Sequence, residues 1–408
     1  MSRRKLLSFL IAILPVANIY AFPILINNLG HAILLFMVFP IALIEYCQKR
    51  NKTTKDLRRY LNLSIYILLV SLFVPIAGGY SSDMRALVQF VEYTIILFFV
   101  ISNVNSSNYI FRYYLILSEL FSYLLIFQLL LIPFGIRLSG FIPFLDFYVT
   151  GTEFMSISEG RLLRASSVFT EPSHFALYVA PALAISLWGV NNKSSLRRCI
   201  ILTTALLLSR SGNGMILLVA IYGFYIIHRY FSKASFVKYL VGGVIVAAAL
   251  VIIPRTSYFE SMTYGLFVKE SNTTESRADA RVYRGFALFS QMDLRDMVTG
   301  IGWRNAESYF SAKKSAAYNF FYIENFEYFN SIAGILIYSG IIGLLLFFWW
   351  LLILWRENVF WGYKMLIVVI VVPMFSSSVF MMEQWPLYIF LLYSTKQYAK
   401  NIFAEEVM

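Results

Sequence analysis

The chain has 408 residues, of which 59% are hydrophobic and only 14% are charged. Soluble domains carry about 45–50% apolar and about 25% charged residues, so this composition excludes an ordinary soluble domain. Apolar runs long enough to cross a bilayer recur along the whole length. The sequence therefore predicts an all-α, polytopic membrane bundle of about 12 transmembrane helices, forming one integral membrane domain over residues 1–408.

The apolar runs are separated by short polar segments and by two long ones. Length and hydrophobicity predict spans at 6–22, 29–46, 61–77, 86–102, 113–133, 174–190, 199–210, 213–228, 237–254, 331–354, 365–382 and 385–398. The first run follows Arg3, Arg4 and Lys5 and resembles a signal peptide. No small-residue cleavage site follows it, so we interpret it as a retained membrane anchor.

The net charge of +12 is mostly a topology signal. With the N-terminus in the cytoplasm, the short cytoplasmic segments hold 20 of the 34 Lys and Arg residues, and the short outside loops hold only Arg85 and Arg210. The other 12 lie in two long outside segments, about 134–173 and 255–330, which the positive-inside rule does not govern.

This topology predicts which positions a membrane-impermeant thiol reagent reaches from outside. Cysteines placed at Ser158 and Ser271 should be labelled, because both lie in the long outside segments. Cysteines placed at Lys52 and Lys233 should be protected until the membrane is permeabilised. Labelling at position 52 in intact cells would contradict the topology.

The distribution of the basic residues and cysteines argues against a nucleic-acid partner, a disulfide and a metal site. The basic residues are scattered among small loops instead of forming one stripe, which argues against a nucleic-acid partner. Cys47 and Cys199 lie at predicted cytoplasmic helix ends, where two distant thiols suggest neither a disulfide nor a metal site. The nearest approach to an acidic metal motif is Asp293-Leu-Arg-Asp296, whose spacing differs from Asp-x-Asp.

The first long segment ends in Arg164-Ala-Ser-Ser-Val-Phe-Thr-Glu-Pro172, just before a predicted span. Thr170 and Pro172 suit a helix N-terminus, and Glu171 suits the positive end of the helix dipole. Capping is therefore one interpretation of Glu171 and acid–base chemistry is the other. His174 is one of three histidines in the chain, and a hydrogen-bonded anchor at the membrane interface is the alternative to a catalytic role.

The second long segment contains Arg277, Arg281 and Arg284 at spacings of four and three residues. On a helix these three side chains share one face. Three guanidinium groups on one face form a site for a diphosphate, because each presents a planar fork of donors that matches phosphate oxygens. The alternative is a solvated face in which the arginines pair with Glu275 and Asp279.

Three further features lie around these arginines. Arg210 interrupts an apolar stretch near the outer face. A charged side chain is costly there, so its presence indicates a function. The alternative is that the side chain snorkels to the membrane surface. Thr299-Gly-Ile-Gly-Trp303 predicts a tight turn. The aromatic stretch 320–330, which includes Glu324, predicts either a platform on which sugars stack or an interfacial aromatic belt.

The order of these features resembles the O-antigen polymerases (Wzy type), which form one superfamily of membrane glycosyltransferases with the O-antigen ligases. The resemblance begins at Arg164-Ala-Ser-Ser-Val-Phe-Thr-Glu-Pro and continues through Leu-Ser-Arg210-Ser-Gly. It then includes the arginine-bearing loop that ends in Gly-Ile-Gly and finishes at Ser339-Gly-Ile-Ile-Gly343. It covers residues 160–345 closely and the rest of the chain through topology.

The resemblance implies that undecaprenyl-diphosphate-linked repeat units are polymerised on the periplasmic face of the bacterial inner membrane, without a metal ion or other cofactor. The partners would be the lipid-linked donor and acceptor and the membrane lipids, and a chain-length regulator protein is a further candidate. Arg210 and Arg281 match the family's diphosphate-binding arginines. Arg164, Arg277 and Arg284 are the other candidate substrate-binding residues.

The resemblance leaves the acid–base group open. The related ligases carry a His-Asn pair about eleven residues before the Gly-x-x-Gly motif, whereas this chain reads Phe329-Asn330 there. The available groups include Glu171, His174 and Glu324. The absent histidine puts the ligase alternative in doubt.

The alternative from another functional class is a lipid-linked oligosaccharide flippase. A flippase should place charged residues and broken helices at mid-membrane along a transport path. The ionisable residues in the middle of the predicted spans are few, with Glu92 and Glu119 the main ones. Two long outside segments that carry arginines fit a fixed surface reaction better.

Overall fold

The computed structural model describes residues 3–21, 28–49, 55–102, 107–136, 138, 145, 165–188, 193–231, 283–313, 329–357, 360–381 and 384–406. Within these ranges the chain is helical, and one isolated β-bridge joins Ala21 to Asn28. The all-α prediction is therefore confirmed. The α-helices, in chain order, are α1 (Arg3–Ala17), α2 (Leu29–Ile33), α3 (Phe39–Lys49), α4 (Lys55–Gly78), α5 (Met84–Ser102), α6 (Ser107–Leu131), α7 (Pro172–Trp188), α8 (Lys193–Leu208), α9 (Gly212–Ile226), α10 (Arg284–Phe289), α11 (Leu294–Thr299), α12 (Ala306–Ala312), α13 (Ser331–Arg356), α14 (Trp361–Val371) and α15 (Gln384–Glu406).

Shorter helical pieces extend several of these helices. A π-helix, Leu34–Val38, joins α2 to α3, and another, Ile227–Phe231, continues α9. One 3₁₀ turn, Ile132–Phe134, follows α6, and two more, Val372–Phe375 and Val379–Met381, lie between α14 and α15.

Several helices are long and apolar enough to cross a membrane. In the described part of the chain, length and composition identify Arg58–Gly78, Tyr109–Phe134 and Ser331–Arg356, and shorter apolar helices accompany them. The helical membrane class is confirmed by these helices. The number of 12 spans stays a prediction, and the predicted span 237–254 lies outside the described residues.

Helix α7 is the centre of the bundle. Its residues are apolar on every side and almost all buried, which is typical of a helix surrounded by other helices. It packs against α6, α8, α9 and α14. Tyr178 on α7 donates a hydrogen bond to the Ala12 carbonyl at 2.7 Å, and Tyr388 on α15 donates one to the Leu177 carbonyl at 2.6 Å. These bonds join the first and last helices to the centre.

Glutamates in the middle of two helices are paired. Glu119 on α6 accepts from Arg197 at 2.8 Å and from Arg198 at 3.3 Å. Glu92 on α5 lies 3.5 Å from Nδ1 of His31. A carboxylate within an apolar bundle is costly unless it has such a partner, so the pairs explain how these groups are tolerated.

Helix α13 is broken in its first half. Gly340 has φ 65° and ψ −171°, which is not helical, although the helix continues on both sides. A break of this kind removes helical partners from nearby carbonyl groups, and a membrane supplies no water to replace them. Both Ser339 and Gly340 are buried, so the break must be satisfied by protein.

The Gly-Ile-Gly segment fills the break. The backbone N–H of Ile301 donates to the Ile337 carbonyl at 3.1 Å, and that of Gly302 donates to the Tyr338 carbonyl at 2.9 Å. Gly300 and Gly302 have φ of 85° and 90°, which only glycine adopts readily. A Cβ on Gly300 would lie 2.5 Å from the Tyr338 carbonyl oxygen. The motif predicted only as a tight turn is therefore a plug for a broken helix.

Hydrogen bonds from α4 hold this plug in place. Ser71 on α4 accepts from the Trp303 N–H at 2.7 Å, and Tyr66 donates to the Thr299 carbonyl at 2.9 Å. Tyr80, just beyond α4, donates to the Ile301 carbonyl at 2.9 Å. Residues 283–313, part of the predicted second loop, are thus built into the bundle between α4 and α13.

The two aspartates of Asp293-Leu-Arg-Asp296 form side-chain contacts within the same segment. Asp296 accepts from the Tyr309 hydroxyl at 3.0 Å, and Asp293 pairs with Lys313. Burial, with Asp296 beside it, raises the pKa of Tyr309 above its ordinary value, so the phenol remains a donor.

We predict that Gly340→Ala destabilises the protein more than Gly79→Ala does. Both glycines have positive φ, but a Cβ on Gly340 would lie 2.3 Å from the Val298 carbonyl oxygen, whereas one on Gly79 meets nothing within 4 Å. The left-handed conformation alone costs an alanine about 1–2 kcal/mol, and the clash adds about 1–3 kcal/mol. Thermal unfolding of the detergent-purified variants measures the difference. Equal midpoints for the two variants would show that the break is loosely packed.

Candidate functional site

Arg210 forms the turn between α8 and α9. Its φ is 52°, in the left-handed region that costs a side-chain-bearing residue about 1–2 kcal/mol. The side chain is partly buried, between the buried Ser209 and Ser211. Ser211 caps α9, because its Oγ accepts from the Gly214 N–H at 3.3 Å. Strain of this kind persists where the surroundings fix the residue, and it concentrates at functional sites.

Asn213 connects the Arg210 turn to the segment after α14. Its side chain donates to Ser377 Oγ at 2.7 Å and accepts from Ser376 Oγ at 3.0 Å. The Ser377 carbonyl in turn accepts from the backbone N–H of Ser331 at 3.0 Å. This network fixes the position of the Arg210 turn relative to the start of α13.

Glu171 and His174 lie at the start of α7. Glu171 is exposed and accepts from Ser173 Oγ at 2.8 Å, and Nδ1 of His174 lies 2.9 Å from the Thr170 hydroxyl. Thr170, which the sequence predicts as the cap of this helix, therefore contacts the imidazole of His174 through its hydroxyl.

The starts of α7 and α9 are in contact. Gly214, in the first turn of α9, lies so close to α7 that a Cβ added to it would be 3.3 Å from the Cβ of Ala176. Because these first turns touch, Glu171 and His174 lie at the same end of the bundle as the turn that carries Arg210.

The motif before Glu171 is a structural clamp. Ser167, with φ 58°, exchanges hydrogen bonds between its backbone and the Gln128 side chain at 2.9 and 3.0 Å. Its hydroxyl donates to the Phe121 carbonyl at 2.7 Å. Phe169 packs on Tyr178 with 5.2 Å between ring centroids. These contacts bind residues 165–169 to α6 and so fix the start of α7.

Arg284 is the first residue of α10 and is buried, with 6% of its surface exposed. The adjacent Gly285 packs against Phe329 and Ala333, at the start of α13. A buried guanidinium is expensive unless it is bonded, so this arginine is held in a defined place. Arg284 therefore lies near the start of α13, which the Asn213 network joins to Arg210.

Four of the predicted site residues lie at the starts of helices, or at turns between them, that are packed or hydrogen-bonded to one another. We call this part of the bundle, at which α7, α9 and α13 begin, the Arg210 end; it contains Glu171, His174, Arg210 and Arg284. The remaining candidates, Arg164, Arg277, Arg281 and Glu324, lie outside the described residues. Of the three arginines in the predicted helical face, Arg284 is described and the other two are not.

Reasoning from the sequence missed the polar residues that organise this end. Asn213, Ser376 and Ser377 carry no charge and belong to no motif that indicates chemistry. A signal was present, because the run Ser376-Ser-Ser378 interrupts a predicted span. A polar run within a span indicates hydrogen bonds to a neighbouring helix.

Phe329 and Asn330 have structural roles. Asn330 caps α13 by accepting from the Ala333 N–H at 2.9 Å. Phe329 is buried and lies 5.9 Å from the Tyr338 ring, between centroids. The position at which the ligases carry histidine is therefore occupied here by a packing residue.

The fold and this site define an α-helical membrane protein with a polar, arginine-bearing end. A family model described as O-antigen ligase matches residues 199–348. The matched region contains Arg210, Arg284, the Gly-Ile-Gly plug and the break in α13. The resemblance to the O-antigen polymerase and ligase superfamily is therefore confirmed over this region. No curated protein matches the chain.

We predict that Glu171→Gln lowers glycan-transfer activity more than it lowers the amount of protein in the membrane. The carboxylate is exposed at the Arg210 end. A purely capping carboxylate should cost about 1 kcal/mol of stability and leave turnover intact. Glu307→Gln is the matched control, since Glu307 is an exposed glutamate in the first turn of α12. Normal product from the Glu171 variant would assign Glu171 to capping alone.

Proposed function

We propose that this protein polymerises undecaprenyl-diphosphate-linked oligosaccharide repeat units into a surface polysaccharide, on the periplasmic face of the inner membrane. The observation that carries the proposal is the Arg210 end. It combines a strained arginine, a buried arginine, a carboxylate and an imidazole, and both arginines lie within the region that matches the O-antigen ligase family.

The arginines would stabilise the leaving group. In the proposed reaction, the hydroxyl of the acceptor sugar attacks the anomeric carbon of the donor glycan. The bond from that carbon to the diphosphate oxygen breaks, and the electron pair leaves with the diphosphate. Guanidinium groups of Arg210 and Arg281 meet the developing charge with paired hydrogen bonds. This arrangement would let arginines perform the reaction without a metal ion.

A base at the same end takes the proton of the acceptor hydroxyl. His174 and Glu171 are the described candidates, because they lie one turn apart at the start of α7, beside the start of α9. An imidazole or carboxylate that receives a proton in the transition state contributes typically about 10²–10⁴-fold to a rate. Glu324, outside the described residues, stays a third candidate.

Phe329 favours a polymerase over a ligase. A buried phenylalanine can neither accept a proton nor bind a sugar hydroxyl, and here it packs on Tyr338. A ligase that resembled its family would need another group in this place.

The flippase alternative receives no support from the break in α13. The broken helix matches one expectation for a flippase, but the backbone of Gly300–Gly302 occupies the break. Glu92 and Glu119 are paired with His31 and with Arg197 and Arg198. The filled break and the paired glutamates therefore do not favour a transport path.

Conservative arginine substitutions test the proposal. Lysine keeps the charge but loses the planar two-pronged hydrogen bonding, so Arg210→Lys and Arg281→Lys should each lower polymer synthesis about ten- to a hundredfold. Arg161→Lys, on the first long segment, is the matched control and should be tolerated. Polymer length and amount are compared at equal expression. Full activity from both lysine variants would show that the diphosphate is held elsewhere.

Arg210→Gly separates the catalytic role of this residue from its role in folding. Glycine adopts the left-handed conformation without strain, so the variant should unfold at the same temperature as the wild type or higher. Polymer synthesis should nevertheless fall at least as far as in Arg210→Lys. A Gly variant that was stable and active would remove Arg210 from the mechanism.

A further inference from the structure

Two arginines lie among the exposed residues of α6 and α8, which are otherwise mainly apolar. The two helices pack against each other, and each has an exposed row at the helical repeat. In a membrane protein such rows face lipid, where a charged side chain is costly without a partner. The exposed residues include Arg112, Ile116, Leu120, Tyr123 and Phe127 on α6, and Leu196, Arg197, Ile200, Thr204 and Leu207 on α8.

Arg197 is exposed and yet fixed in position. Its Nη2 donates to Glu119 Oε1 at 2.8 Å, while 66% of its side chain is exposed. Nε of Arg198 donates to the other oxygen of the same carboxylate at 3.3 Å. Glu119 is buried within α6, so it holds both guanidinium groups at the junction of the two helices. A guanidinium has five N–H donors, and the bond to Glu119 uses one of those of Arg197.

The surroundings of these arginines are poor in acidic residues. The sequences of α6 and α8 contain four basic residues and one acidic residue, Glu119. Helices α1, α7 and α9, which pack against them, contain no Asp or Glu. Helix α15 also packs against α6, but its acidic residues, Glu405 and Glu406, lie at its C-terminal end. This face therefore carries excess positive charge, which an anionic ligand would balance.

The arginines lean toward one surface of the membrane. Both α6 and α8 begin on the predicted cytoplasmic side, and helical side chains point back toward the start of their helix. Long basic side chains in this orientation bring their charge to the head groups while their stems stay in hydrocarbon. Arg112 lies seven residues before Glu119 on α6, about 10 Å nearer that surface, since a helix rises about 1.5 Å per residue. Positive charge thus extends from Glu119 toward the predicted cytoplasmic head groups.

We infer that this face binds an anionic phospholipid of the cytoplasmic leaflet. Arg197 holds the lipid phosphate from the side opposite Glu119, and Arg112 adds positive charge toward the cytoplasm. The planar fork of a guanidinium matches phosphate oxygens, and basic sites between membrane helices on this side bind anionic head groups in other proteins. The acyl chains would lie along exposed aliphatic side chains such as Ile116 and Ile200. The inference uses the predicted topology and does not rest on the proposed function.

The same two helices connect this face to the Arg210 end. Helix α8 ends at Leu208, just before the Arg210 turn. Gln128 on α6 exchanges hydrogen bonds with Ser167 in the clamp that precedes α7. A lipid that binds only the folded protein stabilises it. We therefore expect the lipid to raise the thermal midpoint of unfolding.

Lipid titration of the purified full-length protein tests the inference. Delipidated protein in detergent is titrated with phosphatidylglycerol, bound lipids are counted by native mass spectrometry, and thermal unfolding is followed in parallel. Phosphatidylglycerol should bind at least about fivefold more tightly than zwitterionic phosphatidylcholine, because it offers net negative charge to the arginines. Glycerol 3-phosphate carries a phosphate without acyl chains and should not displace the lipid at the same concentration.

Arg197→Gln should lower the affinity for phosphatidylglycerol at least about tenfold and abolish the lipid-dependent rise in thermal midpoint. Glu119 keeps Arg198 as its partner, so the variant should fold. Arg197→Lys keeps the charge but loses the fork, so its affinity should lie between those of the wild type and the glutamine variant. Arg356→Gln is the matched control, since Arg356 is an exposed arginine in the last turn of α13, also on the predicted cytoplasmic side.

Three results would overturn the inference: equal affinity for the two lipids, displacement by glycerol 3-phosphate, or the same lipid-dependent rise in thermal midpoint in the wild type and Arg197→Gln. If Arg197→Gln does not fold, Arg112→Gln replaces it, because Arg112 is not one of the arginines bound to Glu119. That variant should lower the affinity about fivefold, and an unchanged affinity would equally overturn the inference. Lipid binding needs no turnover, so this result is independent of whether the protein makes polymer.

Discussion

The break in α13 imposes the strongest constraint on this fold. Inside an apolar bundle, the carbonyls of Ile337 and Tyr338 need donors, and the backbone of Ile301 and Gly302 supplies them. Such close approach of two backbones is possible because Gly300 and Gly340 lack side chains. Part of the second long segment is therefore packed inside the bundle, and its position is fixed relative to α13.

The position of Arg284 depends on that fixed junction. Gly285 lies against Phe329 and Ala333 at the start of α13, which places Arg284 at the Arg210 end. Trp303, just after the plug, packs between Phe90 on α5 and Tyr338 on α13. A single backbone junction thus fixes the start of α10, the segment around Trp303 and α13 relative to one another.

The fold class can be predicted well from the sequence because a bilayer leaves few alternatives. Apolar runs of sufficient length must be helices, and all the described helices except α10, α11 and α12 overlap the predicted spans. Arg210 could be recognised because an isolated charge in an apolar run is costly. The clamp at Ser167 and the network at Asn213 could not be recognised, since uncharged polar residues reveal their partners only when distant helices are packed.

The most direct test of the central claim is reconstitution of the purified protein in liposomes with an undecaprenyl-diphosphate-linked repeat unit as the sole glycan substrate. A polymerase with the proposed Arg210 site should produce a ladder of products that differ by one repeat unit, and Arg210→Lys should produce almost none. A folded wild-type protein that yields no ladder, or that transfers a single glycan only when another lipid acceptor is added, would contradict the proposed function.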